Sequence, residues 1–330
     1  MRMLTSILAS LIALACADGA ARAQDWSSNK VVRILVPFAP GGTTDIVARL
    51  LADELKKSLG PTFLVENKPG ADGLVAIQEL IRGGNDGLTL MIGNVTTNAI
   101  APILAANKVS FNYERDVVPV MRLVDVPAFL VATTKDFPPK NVTELVDYAK
   151  RNPGRVNYGT TGPGSYPHFD MMLLAKRAGG LDLAAIPNKN GASGMINDLL
   201  TGSVQISFIN AASTGANVRA GTLRALAVVN HARLPDFIDI ATMQEQGFSG
   251  VGTVAWQGLF APASTPREVL DRVQKATAQA LQVPAVVHAL RQQQFNIMPT
   301  NSLDETRDWY AGEMTHWRTV AREAKVDAGN

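Results

Sequence analysis

Hydrophobic positions along the chain follow two alternating patterns. Short runs of β-branched and other apolar residues predict buried β-strands, whereas segments with an apolar residue at every third or fourth position predict amphipathic helices. The stretch 45–58 shows the helical pattern most clearly, with Ile46, Val47, Leu50 and Leu55 on one side. The strands predicted by the first pattern cover residues 31–36, 88–93, 128–133, 204–209, 223–229 and 258–261.

The order of these segments predicts the fold class. Alternating β and α segments favour an α/β fold with mainly parallel sheets that helices cover on both faces. Helix starts are marked by capping-box spacing at Asn141 with Glu144 and at Ser302 with Glu305. No glycine–serine linker is present, so two lobes must be joined by ordinary strands or short turns. The helices after Pro262 are expected to pack on the first sheet.

The N-terminus has the features of an export signal. Arg2 supplies a positive charge, and the apolar stretch 4–17 is too short to span a bilayer. The small residues Ala21 and Ala23 predict cleavage after Ala23. Lipidation of Cys16, the only cysteine, is the alternative. If the signal is removed, the mature protein has neither a disulfide nor a thiolate metal ligand.

Composition narrows the classes of function. The chain has 330 residues, 46% hydrophobic and 18% charged, and can bury enough surface for two lobes. Its net charge of +2 falls to +1 without the signal peptide. A charge this small does not indicate binding to nucleic acid or to a membrane surface. The histidines outside the signal show no metal-ligand spacing. We therefore expect no nucleic-acid partner, no membrane-embedded segment, no metal and no other cofactor.

Three glycine-rich loops are the candidate binding segments, and each lies where a strand ends and a helix begins: 37–45, 158–168 and 188–194. Glycine lets the backbone approach a ligand there, and the free amides and the positive end of the helix dipole attract an anion. The first loop lacks both the Gly-Lys-Ser/Thr of a phosphate loop and the G-x-G-x-x-G of a dinucleotide site. Plain loop geometry is the alternative for each. In open α/β sheets such loops gather at the carboxyl ends of the strands.

Some side chains in these loops invite a catalytic interpretation that their spacing does not favour. Ser165 and His168 stand three residues apart at a helix start, a poor geometry for nucleophilic attack, and no G-x-S-x-G elbow is present. Helix capping or ligand binding is the simpler role for both. Asp45 is expected to stabilise the first helical turn and to orient the ligand. We expect no enzyme activity, because no carboxylate pair or nucleophile–base pair is visible.

Longer motifs give the chain a specific resemblance. P-F-A-P-G-G-T-T-D at 37–45, V-E-N-K-P-G-A-D-G at 65–73 and Y-G-T-T-G-P-G-S-Y-P-H at 158–168 precede a W-x-G…A-P…T-P pattern at 256–266. On these residues the chain resembles the substrate-binding proteins of tripartite tricarboxylate transporters, the TctC or Bug family, from about residue 30 to residue 322. The resemblance implies a two-lobed periplasmic-binding-protein fold, or Venus flytrap, with the ligand between the lobes.

The resemblance also implies a function and a division of the chain. An exported periplasmic monomer is expected to capture a small carboxylate and present it to membrane transporter subunits. One lobe is expected from residues 24–126 plus 256–330 and the other from 127–255, after removal of a signal peptide at 1–23. A ligand sensor for a membrane kinase is the alternative, and an enzyme on the same fold is a further one.

The ligand contacts that the resemblance implies come from both lobes. The first loop and the polar segment after the 88–93 strand belong to one lobe, and the remaining loops belong to the other. Where the family often has Tyr-Lys-Gly, this chain has Asn-Lys-Asn-Gly from Asn188 to Gly191. Where the family often has Phe-x-Asp, this chain has an asparagine at position 210, which repels a second anionic group of the ligand less than an aspartate would. The candidate ligand-binding residues are Phe38, Ala39, Gly42, Thr43, Thr44, Asp45, Asn94, Thr96, Asn98, Thr161, Gly164, Ser165, His168, Asn188, Gly191 and Asn210.

Overall fold

A computed structural model describes residues 29–299 and 301–323, and two β-sheets organise them. The expected signal peptide, its cleavage position and Cys16 lie outside the described residues. The strands, numbered in chain order, are β1 Val31–Val36, β2 Thr62–Asn67, β3 Thr89–Asn94, β4 Val117–Val126, β5 Ala128–Thr133, β6 Val156–Thr160, β7 Leu183–Pro187, β8 Ile206–Asn210, β9 Leu223–Val229, β10 Ala255–Pro262 and β11 Asn296–Ile297.

Helices connect and cover these strands. Short 3₁₀ turns at Ala71–Gly73 and Pro235–Phe237 and a π-helical turn at Thr96–Ile100 add to them. No helix within the described ranges is long and apolar enough to cross a membrane. The α-helices are α1 Thr43–Leu59, α2 Leu74–Arg82, α3 Ala101–Leu104, α4 Tyr113–Asp116, α5 Val142–Arg151, α6 Tyr166–Arg177, α7 Gly191–Thr201, α8 Ala211–Arg219, α9 Arg267–Ala280, α10 Pro284–Gln292 and α11 Leu303–Glu323.

The two sheets draw on different parts of the chain. The first has the order β11–β4–β10–β3–β1–β2 and therefore combines strands from both ends of the described chain. The second has the order β7–β6–β8–β5–β9 and comes from the middle. We call each sheet, with the helices packed on it, the first lobe and the second lobe. The predicted residue boundaries of the lobes stay a prediction.

The α/β class is confirmed, but the sheets are mixed rather than mainly parallel. β1 is parallel to β2 and β3, and β6 is parallel to β7 and β8. β10 is antiparallel to β3 and β4, and β5 is antiparallel to β8 and β9. Antiparallel pairing involves the strands on which the chain passes between the sheets. Pro127 alone joins β4 of the first sheet to β5 of the second, and β10 enters the first sheet after the second lobe is complete.

The C-terminal helices pack on the first lobe, as predicted for the segment after Pro262. Leu270 of α9, Leu290 of α10 and Tyr310 of α11 belong to the same buried core as Ile34 of β1. Burial of each large apolar side chain contributes about 1.5–3 kcal/mol, so this core anchors the end of the chain to its beginning.

Helix α6 joins the two lobes. Phe169, near its start, is 1% exposed and belongs to the core of the first lobe, where its ring lies edge-on to Trp317 with the centroids 5.9 Å apart. Met171 and Leu174, further along the helix, lie in the core of the second lobe. The loop that precedes α6 is therefore held between the lobes.

Candidate functional site

Two polar segments of the first lobe, residues 37–42 and residues 95–98, meet at one edge of its sheet. Residues 37–42 follow β1 and residues 95–98 follow β3, and these two strands are parallel neighbours. Gly73 packs between the segments, because a Cβ atom there would lie 2.5 Å from Thr97 Cγ2 and 3.3 Å from Pro37 Cβ. Its φ of +94° also favours glycine. This glycine belongs to the A-D-G turn that precedes α2.

A buried carboxylate shapes the first loop. Asp45 is 3% exposed, and its oxygens accept hydrogen bonds from the Gly41 amide, the Arg49 guanidinium and the Asn67 amide, each at 2.9 Å. Asn67 also donates to the Phe38 carbonyl at 3.0 Å. Burial alone raises the pKa of Asp45, but these hydrogen bonds and the charge of Arg49 together lower it below its usual value. The Asp45 carboxylate therefore supports the loop, and its oxygens are directed at partners within the first lobe.

The same loop leaves a set of backbone donors free. Helix α1 begins at Thr43 after an N-cap glycine that has no side chain to bond its amides. The N–H groups of Thr43, Thr44 and Asp45 have no hydrogen bond to another described residue. With the positive end of the helix dipole, they favour an anion at this position. Ala39 and Gly42 are exposed beside them, and Phe38 packs on the core below.

The segment after β3 divides into one accessible part and one buried part. Asn94 caps the turn by accepting from the Thr97 amide at 3.2 Å, and Thr96 is half-exposed. Asn98 is fully buried, and its amide donates to the Tyr113 hydroxyl at 2.8 Å while its side-chain oxygen accepts from Thr97. Asn98 therefore holds the π-helical turn from within the core, and its predicted contact with a ligand stays a prediction.

The loop before α6 is also held by its own side chains. The Ser165 hydroxyl donates to the Gly162 carbonyl at 2.7 Å and lies 2.9 Å from the Thr160 hydroxyl. Ser165 occupies the predicted N-cap position, but its side chain does not cap a helix amide. The N–H groups of Thr161 and Gly164 have no hydrogen bond to another described residue. The backbone of this loop, rather than Ser165, is what a ligand can use.

Gly164 is the point at which this loop meets the first lobe. A Cβ atom on Gly164 would lie 3.3 Å from Leu104 Cδ1 and 3.9 Å from Asp72 Oδ2. Asp72 belongs to the A-D-G turn that Gly73 packs against the first loop. The loop before α6 therefore lies against the A-D-G turn, and Gly73 of that turn packs on Pro37 of the first loop.

His168 stands behind the loop. One ring nitrogen lies 3.0 Å from the Tyr158 hydroxyl, and burial lowers the pKa of the imidazole below its usual value. The imidazole is therefore neutral at neutral pH. It has neither the charge to attract a carboxylate nor a nucleophile to activate, since the Ser165 hydroxyl is bonded within its own loop.

The remaining predicted residues lie at the same edge of the second sheet, after β7 and β8. Asn188 has both polar atoms engaged: its amide donates to Asp198 at 2.7 Å and its oxygen accepts from the Asn190 amide at 3.0 Å. Like Asn98, it supports a loop. Gly191 has a φ of +65° at the start of α7. Asn210 caps α8 by accepting from the Ser213 amide at 2.8 Å, and its own NH₂ group has no hydrogen bond to another described residue.

Two contributors to this region were not among the predicted residues. Asn67 belongs to the V-E-N-K-P-G-A-D-G motif and Gln257 to the W-x-G motif, so the sequence carried a signal for both. Their roles depend on contacts with residues 22 and 214 positions away, Asp45 and Thr43 respectively. Contacts between residues so far apart in the chain leave no pattern in the local sequence from which they could be predicted.

The site is an array of neutral donors. Arg49 is engaged by Asp45, and the described residues contain no group of three His, Cys, Asp or Glu placed to hold a metal ion. A surface cavity of about 580 Å³ lies elsewhere, at Asn141, Glu144 and Gln246 in the second lobe, and none of the candidate residues lines it. The glycine loops remain the candidate site because each has backbone N–H groups without a partner among the described residues.

Comparison with known proteins identifies the family of this chain. The family model described as "Tripartite tricarboxylate transporter family receptor" matches residues 47–325. A UPF0065 protein of Bordetella pertussis is 37% identical over 279 residues, which cover 84% of each chain.

Solved structures give the same assignment. R. palustris Rpa4515 with adipate superposes with a TM-score of 0.81 at 29% identity, over 91% of this chain and 99% of that one. MatC (Rpa3494) from Rhodopseudomonas palustris with bound malate has a TM-score of 0.78 at 28% identity, over 88% and 98% of the two chains. The chain therefore belongs to the tripartite tricarboxylate transporter receptor family, and it is a solute-binding protein of the periplasmic-binding type, not an enzyme.

Proposed function

We propose that this protein captures a small organic carboxylate between its two lobes and delivers it to the membrane subunits of a tripartite tricarboxylate-type transporter. It acts as a monomer in the periplasm, after a signal peptide has been cleaved near Ala23. Lobe closure over the ligand removes water and strengthens each hydrogen bond to the carboxylate.

One observation carries the proposal: three adjacent backbone N–H groups at the start of α1 have no partner within residues 29–299 and 301–323, beside a loop that buried Asp45 holds in shape. Donors fixed before binding cost little entropy when an anion arrives. The N–H groups of Thr161 and Gly164 add donors from the second lobe. Charge-assisted hydrogen bonds to a carboxylate are about twice as strong as neutral ones, so the site needs no arginine clamp.

We assign two roles to the candidate residues. Asp45, Asn98, Ser165, His168 and Asn188 shape the loops from within, as their hydrogen bonds indicate. The proposed ligand contacts are Phe38, Ala39, Gly42, Thr43, Thr44, Asn94, Thr96, Thr161, Gly164, Gly191 and Asn210.

The ligands named with two structural neighbours support the choice of ligand class. Rpa4515 was solved with adipate and MatC with malate, both dicarboxylates. The mature chain, stripped of co-purified ligand by unfolding and refolding, should be screened by thermal shift against malate, adipate and other mono- and dicarboxylates. Calorimetry on each hit then gives the dissociation constant.

A carboxylate at 100 times its dissociation constant should raise the free energy of unfolding by ~2.7 kcal/mol, which is a clear thermal shift. Neutral diamides of the same length are the matched control and should give none. If no carboxylate in the panel stabilises the ligand-free protein, the proposed function is wrong.

Asn210 offers a test of the second lobe. In Asn210→Asp the oxygen that accepts from the Ser213 amide is kept, so the cap of α8 survives, while the free NH₂ group becomes a carboxylate oxygen. A second anionic group of the ligand would meet this charge. We therefore expect a dicarboxylate to lose about tenfold more affinity than a monocarboxylate of similar length, measured by calorimetry.

The control for this charge change is Asn85→Asp, at an exposed position between α2 and β3. It should leave both affinities within about twofold of the wild type. If Asn210→Asp weakens mono- and dicarboxylates equally, the assignment of Asn210 to a second anionic group is wrong.

A further inference from the structure

Gln257 in β10 is a buried polar side chain that packing alone does not explain. It is 1% exposed and lies opposite Asn94 of β3 in the first sheet. Its Nε2 donates to the Thr43 hydroxyl at 3.1 Å, whereas its Oε1 is buried and has no hydrogen-bond partner in the described part of the chain. An unpaired buried acceptor costs about 1–3 kcal/mol, and a methionine of similar volume avoids that cost.

The direction of this hydrogen bond decides what Thr43 can do. Among the residues that the structure describes, Thr43 is the one group bonded to the Gln257 side-chain amide, so either orientation of that amide leaves one end unpaired. The observed orientation leaves the carbonyl oxygen unpaired, which is tolerated better in protein interiors than an unpaired N–H. A hydroxyl that accepts from Nε2 must direct its own proton elsewhere.

The Thr43 hydroxyl proton has no acceptor among the described residues. Thr43 is the first residue of α1, and its neighbours in the loop are the unpaired N–H groups described above. The Thr43 hydroxyl and the N–H groups of residues 43–45 are thus all available to an incoming acceptor. A ligand group that itself donates, such as an ammonium or an amide NH₂, cannot bond to these four donors.

We propose that Gln257 is a positioning residue that sets the Thr43 hydroxyl as a hydrogen-bond donor to the ligand, and so makes this end of the site selective for acceptor-only groups such as carboxylates. The inference rests on the proposed function. Gln257 acts through Thr43 without touching the ligand, because its side chain is buried and its Nε2 is bonded to that hydroxyl.

The variant Gln257→Glu reverses the hydrogen bond. An ionised carboxylate at this position can only accept, so the Thr43 hydroxyl must donate to it and then presents a lone pair to the ligand. Affinity for malate or adipate at about pH 8.5 should fall at least about 30-fold. A buried carboxyl has a raised pKa, and its protonated form can donate to Thr43 as glutamine does. Affinity relative to the wild type should therefore recover as the pH falls to about 5.5.

The ratio to wild type, taken at each pH, cancels titration of the ligand itself. Gln279→Glu on the exposed side of α9 is the matched control and should show no pH-dependent ratio. A loss of affinity in Gln257→Glu that is the same at every pH overturns the inference, because simple disruption of the loop has no reason to be relieved by a proton.

A double-mutant cycle supplies the second readout. Thr43→Val and Gln257→Met each remove one partner with little change of shape, and each should weaken carboxylate binding about tenfold. The double variant should bind as weakly as Thr43→Val alone, to within about twofold, if Gln257 works through the hydroxyl. If the loss of affinity in the double variant equals the product of the losses in the two single variants, the inference is contradicted.

The same measurements separate two failures. If the wild type binds no carboxylate, the proposed function is wrong and the inference falls with it. If the wild type binds a carboxylate and discriminates against its amide, but both Gln257 variants bind like the wild type, the proposed function stands and the role of Gln257 is refuted. Thermal unfolding without ligand confirms that each variant is folded.

Discussion

Replacing Asp45 by alanine should lower carboxylate affinity by at least about 100-fold while lowering the free energy of unfolding by about 2 kcal/mol. The reason is that Asp45 gathers the Gly41 amide, Arg49 and Asn67 into one network, all at 2.9 Å. Without it, the loop no longer holds its backbone donors in place. The core around β1 and α1 remains, so the protein stays folded. Calorimetry and urea unfolding measure the two effects.

Asp53→Ala makes the same change on an exposed face of α1 and should leave affinity and stability nearly unchanged. The pKa of Asp45 is lowered, so its contribution to stability is complete at neutral pH and is lost as the pH falls through the pKa of the folded state. Wild-type affinity should therefore decline in acid more steeply than the titration of the ligand explains. An Asp45→Ala protein that binds like the wild type would falsify the role given to the first loop.

Asp170→Asn should stabilise the protein at pH 8 by several kcal/mol and change its stability little at pH 4. Asp170 lies in α6 and is 4% exposed. Its oxygens accept from the Thr253 amide at 2.8 Å and the Thr253 hydroxyl at 2.6 Å, in the segment that returns the chain to β10. Burial raises the pKa of Asp170 to about 7, although the bonds from Thr253 oppose the rise. Asparagine is isosteric and uncharged: its Oδ1 can accept from the Thr253 amide while its Nδ2 donates to the Thr253 hydroxyl oxygen.

The sign follows from proton binding. The ordinary pKa of an aspartate is 3.8, whereas the pKa of Asp170 in the folded protein is raised to about 7. Between these two pH values the folded protein holds a proton on Asp170 that the unfolded chain has released. Wild-type stability from this group is therefore greatest at low pH and falls as the pH rises to about 7. Urea unfolding at several pH values should show the difference between Asp170→Asn and wild type growing over this range.

Asp182→Asn, at an exposed position before β7, is the matched control and should show no such growth. If the stability difference between Asp170→Asn and the wild type is the same at pH 4 and pH 8, Asp170 does not carry a raised pKa. The result bears on function because α6 carries the 161–165 loop and also places Phe169 in the core of the first lobe.

Local sequence patterns located the elements closely. β1, β5 and β9 begin and end at the predicted residues 31–36, 128–133 and 223–229, because each is a compact run of apolar residues between turn signals. The first helix begins at Thr43, two residues before the predicted start. The Ser302–Glu305 capping box forms in both directions, at 3.2 and 2.8 Å. At Asn141 the cap forms, but Glu144 bonds the Lys140 amide instead of the backbone amide of the cap residue.

Strand direction did not follow from such patterns. A buried strand has the same apolar run whether its neighbour is parallel or antiparallel. β5, which follows β4 after Pro127 alone, is antiparallel to β8 and β9, and β10, which returns from the second lobe, is antiparallel to β3 and β4. Which strands become neighbours is decided by the tertiary structure.

By itself, then, the sequence determined the α/β class, most strand positions, the glycine-rich loops proposed as the site and the family to which the protein belongs. The tertiary structure decided which polar side chains hold those loops and which donors have no partner among the described residues. Asn98 and Asn188 are expected to contact the ligand on the basis of their loop motifs, and in the fold each donates an N–H to another side chain, Tyr113 and Asp198 respectively. The physical reason is that a buried polar atom takes whichever partner the fold brings within about 3 Å, and that partner need not be near in sequence.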